Sequence, residues 1–164
     1  MPEAWGDGLT ALALLLAANG APVLVRWWLG ERAAWPVDAG WYFFDGRPLL
    51  GAAKTWRGIA AALFATTLLG GLLGLGWELG AAVGALAMSG DLLASFLKRR
   101  LGVVSSGRVP GLDQIPEALL PTAVLYEALG LDGWGVLLVV AAFSAVDILL
   151  SPLLYRLHLR RRPY

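Results

Sequence analysis

The sequence has no cysteine, one histidine and few charged residues: only 15% of its 164 residues are Asp, Glu, Lys or Arg. The absence of cysteine excludes disulfide bonds, thiolate metal sites and a cysteine nucleophile. The histidine, His158, lies in a basic tail, where we expect an interface residue and not a catalyst. So little charge is unlike soluble domains, in which roughly 25% of residues are charged.

Apolar sequence takes the place of the missing charge. Hydrophobic residues make up 58% of the chain, and the mean hydropathy is +0.66. These values predict an integral membrane protein, and the length suits a single domain over residues 1–164. The formal net charge is only +1, so we expect no nucleic-acid partner.

Five apolar runs come close to the roughly 20 residues that cross about 30 Å of hydrocarbon. They predict an all-α membrane protein, a bundle of five transmembrane helices at residues 9–28, 58–75, 79–97, 116–129 and 134–157. We expect the first run to be a retained helix, because it has no preceding basic segment and no small-residue cleavage site.

Basic residues are concentrated on one side of the predicted spans. Lys and Arg occur in residues 29–57, residues 98–115 and the tail, whereas the N-terminus and the other two turns carry acids and no base. Under the positive-inside rule the basic segments face the cytoplasm. We therefore predict a multi-pass protein of a prokaryotic cell membrane, with its N-terminus outside and two polar loops, the C-terminus and the active site at the cytoplasmic face.

The first polar loop ends in a phosphate-binding pattern directly before the second span, where residues 51–58 read GAAKTWRG. Glycine lets an anion approach the backbone, the helix N-terminus offers free N–H groups, and Lys54 and Arg57 add positive charge. The spacing of an ATP-binding P-loop is absent. The alternative is that Lys54, Trp56 and Arg57 are interfacial anchors.

The second polar loop follows a helix that carries an acid inside the predicted membrane. Asp91, Ser95 and Lys98 fall on one helical stripe. Asp91 lies about two turns inside the helix end, and its short side chain cannot reach the interface, so it needs a compensating cation nearby. Three candidates stay open: Lys98, a basic residue of the first loop, or a divalent metal.

A second aspartate, Asp113, precedes the fourth span. It could cap that helix. Beside Asp91 it would also supply a second ligand for Mg²⁺, which takes one or two carboxylates together with water and substrate phosphate. Glu117 could support these ligands, and Asp147 is assigned equally to structural hydrogen bonding and to contact with the site. No nucleophile stands beside a base, so group transfer must depend on positioning and charge neutralisation.

Two motifs carry a resemblance to a known family: LLGAAKTWRG at residues 49–58 and GDLLASFLKRRLG…SSGRVPGLDQIPE at residues 90–117. They resemble the CDP-archaeol synthase family, small membrane cytidylyltransferases related to phosphatidate cytidylyltransferases, and the resemblance extends over essentially the whole chain. It implies five transmembrane helices around a cytoplasmic, metal-dependent site.

The resemblance further implies a reaction and its residues. CMP would pass from CTP to the phosphate of a glycerol-phosphate lipid with ether chains, or alternatively of a diacyl lipid or another isoprenoid phosphate, and Mg²⁺ would be the cofactor. Asp91 and Asp113 would hold the metal, and Ser95 would orient a phosphate or a metal-bound water. The triphosphate would be neutralised by Lys54, Arg57, Lys98 and Arg99. Further substrate contacts would come from Thr55, Arg108 and Gln114. Close helix approach beside a lipid groove would involve Gly70, Gly71, Gly74 and Gly80.

A competing hypothesis is a small transporter or assembly module whose basic loops bind anionic lipid head groups. It explains the positive loops but gives Asp91 and Asp113 no purpose. The oligomeric state stays open.

Overall fold

Five α-helices make up the computed structural model, which describes residues 2–156. They are α1 Pro2–Leu29, α2 Trp56–Leu72, α3 Trp77–Arg100, α4 Ile115–Val124 and α5 Gly133–Arg156. Within residues 2–156 no β-strand occurs; two isolated bridges pair residues of the first polar loop. The predicted all-α class is confirmed. His158 and the basic residues 160–162 lie outside the described residues.

Three of the helices are long and apolar enough to cross a membrane: Asp7–Leu29, Trp77–Arg100 and Gly133–Leu153. The protein is therefore a multi-pass membrane protein. The other two helices are shorter, with 17 residues in α2 and 10 in α4.

The fourth helix departs most from the prediction. The sequence predicts a span to residue 129, but α4 ends at Val124. At 1.5 Å per residue it covers about 15 Å, half of the hydrocarbon thickness. Pro121 weakens its last turns, because proline has no N–H to donate to the carbonyl of Glu117.

Glycines let α2 and α3 pack closely. A Cβ at Gly80 would lie 2.3 Å from the Thr66 carbonyl oxygen, and one at Gly70 would lie 2.7 Å from the Gly80 Cα. The predicted close approach is thus confirmed for Gly70 and Gly80, while Gly71 packs on an aromatic ring at the start of α3. The prediction is wrong for Gly74, which has φ +79 and no atom within 4 Å of a Cβ, because it forms the turn between the helices.

A further glycine joins α3 to α4. A Cβ at Gly90 would lie 2.1 Å from the carbonyl oxygen of Pro116, so the two backbones touch at this point. The next residue, Asp91, is therefore held beside the start of α4. Leu14 of α1 and Phe143 of α5 are fully buried in the apolar core.

The loops formed by residues 30–55 and 101–114 pack together at one end of the bundle, here called the loop end. Arg100, the last residue of α3, places a guanidinium nitrogen 2.5 Å from the Asp45 carboxylate. The same guanidinium lies over the rings of two phenylalanines, 4.7 and 5.0 Å from their centroids. These contacts fasten the first polar loop to the end of α3.

Asp38 organises the interior of the first polar loop. Its buried carboxylate accepts hydrogen bonds from the N–H groups of Gly40 at 3.1 Å, Leu50 at 2.9 Å and Gly51 at 2.8 Å. Burial alone would raise the pKa of Asp38, but these donors lower it below its ordinary value. The folded loop delivers Lys54 to the start of α2.

Candidate active site

Lys54 and Asp91 form the first of two ion pairs at the loop end. The Lys54 ammonium donates to both carboxylate oxygens of Asp91, at 2.6 and 2.5 Å, and each side chain is 24% exposed. Of the three candidate cations, the basic residue of the first loop is the one that contacts Asp91 among the described residues. Burial alone would lower the pKa of Lys54, but the charge of Asp91 raises it above its ordinary value.

Lys98 and Asp113 form the second ion pair. Lys98 also donates to the Gly107 carbonyl at 3.1 Å, and Asp113 accepts the Val109 N–H at 2.8 Å. The carboxylate therefore closes the loop before α4. Asp113 does not cap that helix, because the cap position belongs to Gln114, whose side chain makes no capping bond.

Both ion pairs face a cavity of about 170 Å³, here called the polar cavity, whose lining residues are all polar or glycine. They are Asn19, Lys54, Asp91, Lys98, Ser106, Gly107, Arg108, Asp113, Gln114, Glu117 and Asp147. The two predicted aspartates thus line one cavity although they are far apart in the sequence.

Buried hydrogen bonds fix the inner side of the polar cavity. Glu117 of α4, only 3% exposed, accepts from the Asn19 amide with both carboxylate oxygens at 3.2 Å. Gln114 accepts from the Gly111 N–H at 2.9 Å and donates to Asp147 of α5 at 2.8 Å. Asp147 therefore has both roles left open by the sequence: it makes a structural hydrogen bond and it lines the cavity.

Sequence reasoning missed Asn19. The available signal was an amide in the middle of an apolar helix, where a polar group needs a partner. Its partner, Glu117, is 98 positions away, so the pairing depends on how α1 meets α4.

A second cavity, of about 250 Å³, is also lined by the first ion pair. Its wall comes from α1, α2, α3 and the first polar loop, and eight of its fifteen lining residues are apolar. Lys54 and Asp91 line both this second cavity and the polar cavity.

Three other predicted site residues, Arg108, Thr55 and Arg57, make different contacts. Arg108 lines the polar cavity, and its buried Nη2 atom has no hydrogen-bond partner. Thr55 caps α2 by accepting from the Gly58 N–H at 3.3 Å. Arg57 lines the second cavity and donates to the carbonyls of Gly30 and Arg32.

Two predicted residues line neither cavity. Ser95 is 2% exposed and lies in the wall of neither cavity. Of the predicted stripe, only Asp91 and Lys98 line the polar cavity. Arg99 is also buried, with its Nε and Nη1 atoms lacking hydrogen-bond partners.

The donor set of the polar cavity suits magnesium bound together with a polyphosphate. Among residues 2–156 no group of three or more Asp, Glu, His or Cys side chains is arranged to hold a metal alone. The cavity nevertheless contains four carboxylates against three cations, Lys54, Lys98 and Arg108. Because Mg²⁺ accepts one or two carboxylates and completes its ligands with water and phosphate, these residues fit that ion.

Similarity to known proteins covers nearly the whole chain. The family model described as CarS-like, CDP-archaeol synthase, matches residues 18–82. The CDP-archaeol synthase of Sulfurisphaera tokodaii is 34% identical over 155 residues, which cover 91% of this chain and 90% of that protein. That of Sulfolobus acidocaldarius is 31% identical over 163 residues, or 96% of each chain. That of Hyperthermus butylicus is 36% identical over 115 residues, or 66% of each.

One solved structure is similar in fold as well as in sequence. It is described as an intramembrane enzyme for archaeal membrane lipid biosynthesis, and the two chains share 30% identity with a TM-score of 0.68. The match covers 83% of this chain and 89% of the other.

Proposed function

The chain belongs to the CDP-archaeol synthase family, and from this premise we propose that it transfers the cytidylyl group of CTP to the phosphate of a glycerol-phosphate lipid. An oxygen of the lipid phosphate attacks the α-phosphorus and forms a new P–O bond. The bond to the bridging oxygen of the β-phosphate breaks, and pyrophosphate leaves with the electron pair. The product is a CDP-lipid, and the expected acceptor is a glycerol-phosphate lipid with ether chains.

The observation that carries this proposal is the pairing of two lysines with two aspartates around one polar cavity at the loop end. Lys54 and Lys98 supply ammonium groups to neutralise charge on the triphosphate and on the leaving pyrophosphate. Arg108 adds a guanidinium nitrogen without a protein partner. Transfer between phosphates needs positioning and charge stabilisation more than covalent participation, and these side chains offer both.

Asp91 and Asp113 are the proposed magnesium ligands. The carboxylates of Asp91 and Asp113 would repel a bare triphosphate but not its metal complex. When bound, the metal would add positive charge at the phosphoryl oxygens and lower the barrier to attack.

The loop end is proposed to face the cytoplasm, with five membrane passes and an outside N-terminus. Every basic loop residue described belongs to this end, and CTP is a cytoplasmic metabolite.

Product formation tests the proposed function directly. Purified protein in detergent is incubated with CTP, Mg²⁺ and either an ether or an acyl glycerol phosphate, and mass spectrometry is used to detect the CDP-lipid. We expect product that disappears with EDTA and returns with Mg²⁺. The absence of product from every lipid phosphate, together with no thermal shift by Mg·CTP, would favour a module that only binds anionic lipids.

A further inference from the structure

The last part of the second polar loop, residues 109–114, forms a folded unit directly before α4, here called the closing turn. The Asp113 N–H donates to the Val109 carbonyl at 3.1 Å, and the Asp113 carboxylate accepts the Val109 N–H at 2.8 Å. Gly111 has φ +84, a backbone conformation that favours glycine. Because Asp113 belongs to this folded unit, the place of its carboxylate in the polar cavity depends on what holds the closing turn.

Gln114 connects the closing turn to α5. It is 2% exposed, its amide oxygen accepts from the Gly111 N–H at 2.9 Å, and its amide nitrogen donates to Asp147 at 2.8 Å. Both ends of the amide thus have a partner within the protein. The side chain of Gln114 is therefore a link between the loop that carries Asp113 and a helix that crosses the membrane.

Asp147 determines which end of the Gln114 amide faces the closing turn. A carboxylate accepts hydrogen bonds and donates none, so it requires the amide nitrogen and leaves the amide oxygen for the Gly111 N–H. A hydrogen bond to a charged group is stronger than a neutral one, and burial strengthens it further. Asp147 is only 9% exposed and lies in α5, whose depth in the membrane is set by its own apolar sequence. The closing turn is therefore attached to a helix with a fixed position.

We propose that Asp147 is a positioning residue: through Gln114 it holds the closing turn so that the Asp113 carboxylate stays in the polar cavity. This inference depends on the proposed function, in which Asp113 binds the magnesium of Mg·CTP. Asp147 acts through the loop and contacts neither the metal nor the nucleotide. Loss of the link should therefore weaken the binding of Mg·CTP and leave the binding of the lipid phosphate unchanged.

Two substitutions at position 147 separate the link from the charge. Asp147→Asn and Asp147→Leu remove the same negative charge at similar volume, but only the asparagine can still accept from Gln114. We expect the dissociation constant of Mg·CTP, measured by isothermal titration calorimetry without lipid, to be roughly tenfold higher in Asp147→Leu, because binding must then replace a lost buried hydrogen bond. Ser144→Ala is the control, since Ser144 donates to the Val140 carbonyl of its own helix and lines neither cavity. It should bind Mg·CTP like the wild type.

A double variant distinguishes positioning from stability. Gln114→Met breaks the link from the other side and changes no charge. Combining it with Asp147→Leu replaces both partners by apolar side chains, so neither is left buried and unpaired, and this covers the case in which a single variant does not fold. We expect the double variant to regain much of the thermal stability that the single variants lose, whereas its affinity for Mg·CTP should stay roughly tenfold below that of Asp147→Asn. A link that only stabilised the fold would recover both properties.

Steady-state kinetics completes the test. KM for CTP at a fixed Mg²⁺ concentration should rise in Asp147→Leu and in Gln114→Met, while KM for the lipid phosphate should change less than about twofold. Equal Mg·CTP affinity in Asp147→Asn and Asp147→Leu, or recovered affinity in the double variant, would overturn the positioning role and leave the proposed function intact. If the wild type binds no Mg·CTP, the proposed function fails and this inference fails with it.

Discussion

At the scale of single residues, the site contains two ion pairs, Lys54–Asp91 and Lys98–Asp113. The sequence predicts that Asp91 needs a cation nearby, but it does not place Lys54 beside this carboxylate, because Lys54 is 37 positions away and is positioned by the fold of the first polar loop. Asp113 was predicted as an acid at the mouth of an apolar helix, and it lines the same cavity as Asp91. The Gln114–Asp147 bond was not foreseen, because it depends on how α4 meets α5.

The first residue-scale prediction concerns Asp91. Asp91→Asn removes one negative charge and little volume, so the protein should fold while turnover falls about 100-fold or more, as when one preorganised charged group is lost from a site. CDP-lipid formation at saturating Mg²⁺ measures this, and Asp113→Asn should behave in the same way. Asp45→Asn is the control, since it breaks an ion pair with Arg100 outside both cavities. Near wild-type turnover in Asp91→Asn would remove this carboxylate from the mechanism.

The second residue-scale prediction concerns pH and Asp38. Because the folded protein lowers the pKa of Asp38, its contribution to stability is present above the ordinary pKa of 3.8 and is lost as the pH falls through the folded value. Asp38→Asn should therefore lower the free energy of unfolding at neutral pH by about 1–3 kcal/mol. Its unfolding temperature should fall accordingly. The difference from the wild type should shrink below pH 3.8. Thermal unfolding in detergent over this range measures it, and a difference independent of pH would contradict the role given to this carboxylate.

At the scale of elements, long helices were easier to predict than short ones. α3 and α5 lie within a few residues of their predicted bounds, because an apolar run of their length has no alternative in a membrane. α4 was predicted too long, since apolarity alone does not reveal where turns replace a helix. The crossing of α2 and α3 could be anticipated from their glycines, but not the turn formed by Gly74.

The element-scale prediction concerns the contact between α3 and α4. Gly90→Ala places a Cβ against the Pro116 carbonyl, so α4 must move, which should destabilise the protein by about 1–3 kcal/mol and lower turnover. Gly20→Ala is the matched control, because no atom lies within 4 Å of a Cβ there. It should leave turnover unchanged and alter stability by roughly 1 kcal/mol or less. Thermal unfolding and product formation are measured for both; equal behaviour would show that the Gly90 contact does not hold the site together.

At the scale of the whole molecule, charge is distributed unevenly between the two ends of the bundle. The loop end carries the basic loops, whereas the turns between α2 and α3 and between α4 and α5 carry none of the Lys or Arg residues. This distribution of basic residues could be predicted from the sequence, because it depends only on the order of spans and loops. The two cavities were beyond prediction, since each combines residues from several elements.

The whole-molecule prediction concerns orientation. Because the chain has no cysteine, single-cysteine variants report one position each. Phe44→Cys, in the first polar loop, should react with a membrane-impermeant maleimide only after cells are permeabilised, whereas Ala128→Cys, in the turn after α4, should react in intact cells. Both residues are exposed. The reverse pattern would place the site outside and would contradict access to CTP.

The short length of α4 also affects the surrounding lipid. A helix of 10 residues leaves a hydrophobic mismatch with an ordinary bilayer, and Leu119 and Val124 expose apolar surface on it. The bilayer next to α4 must thin to match this short helix, at a cost of a fraction of a kcal/mol per Å. We therefore expect thick membranes to oppose this fold more than thin ones, so that the stability of the protein falls as the surrounding bilayer thickens.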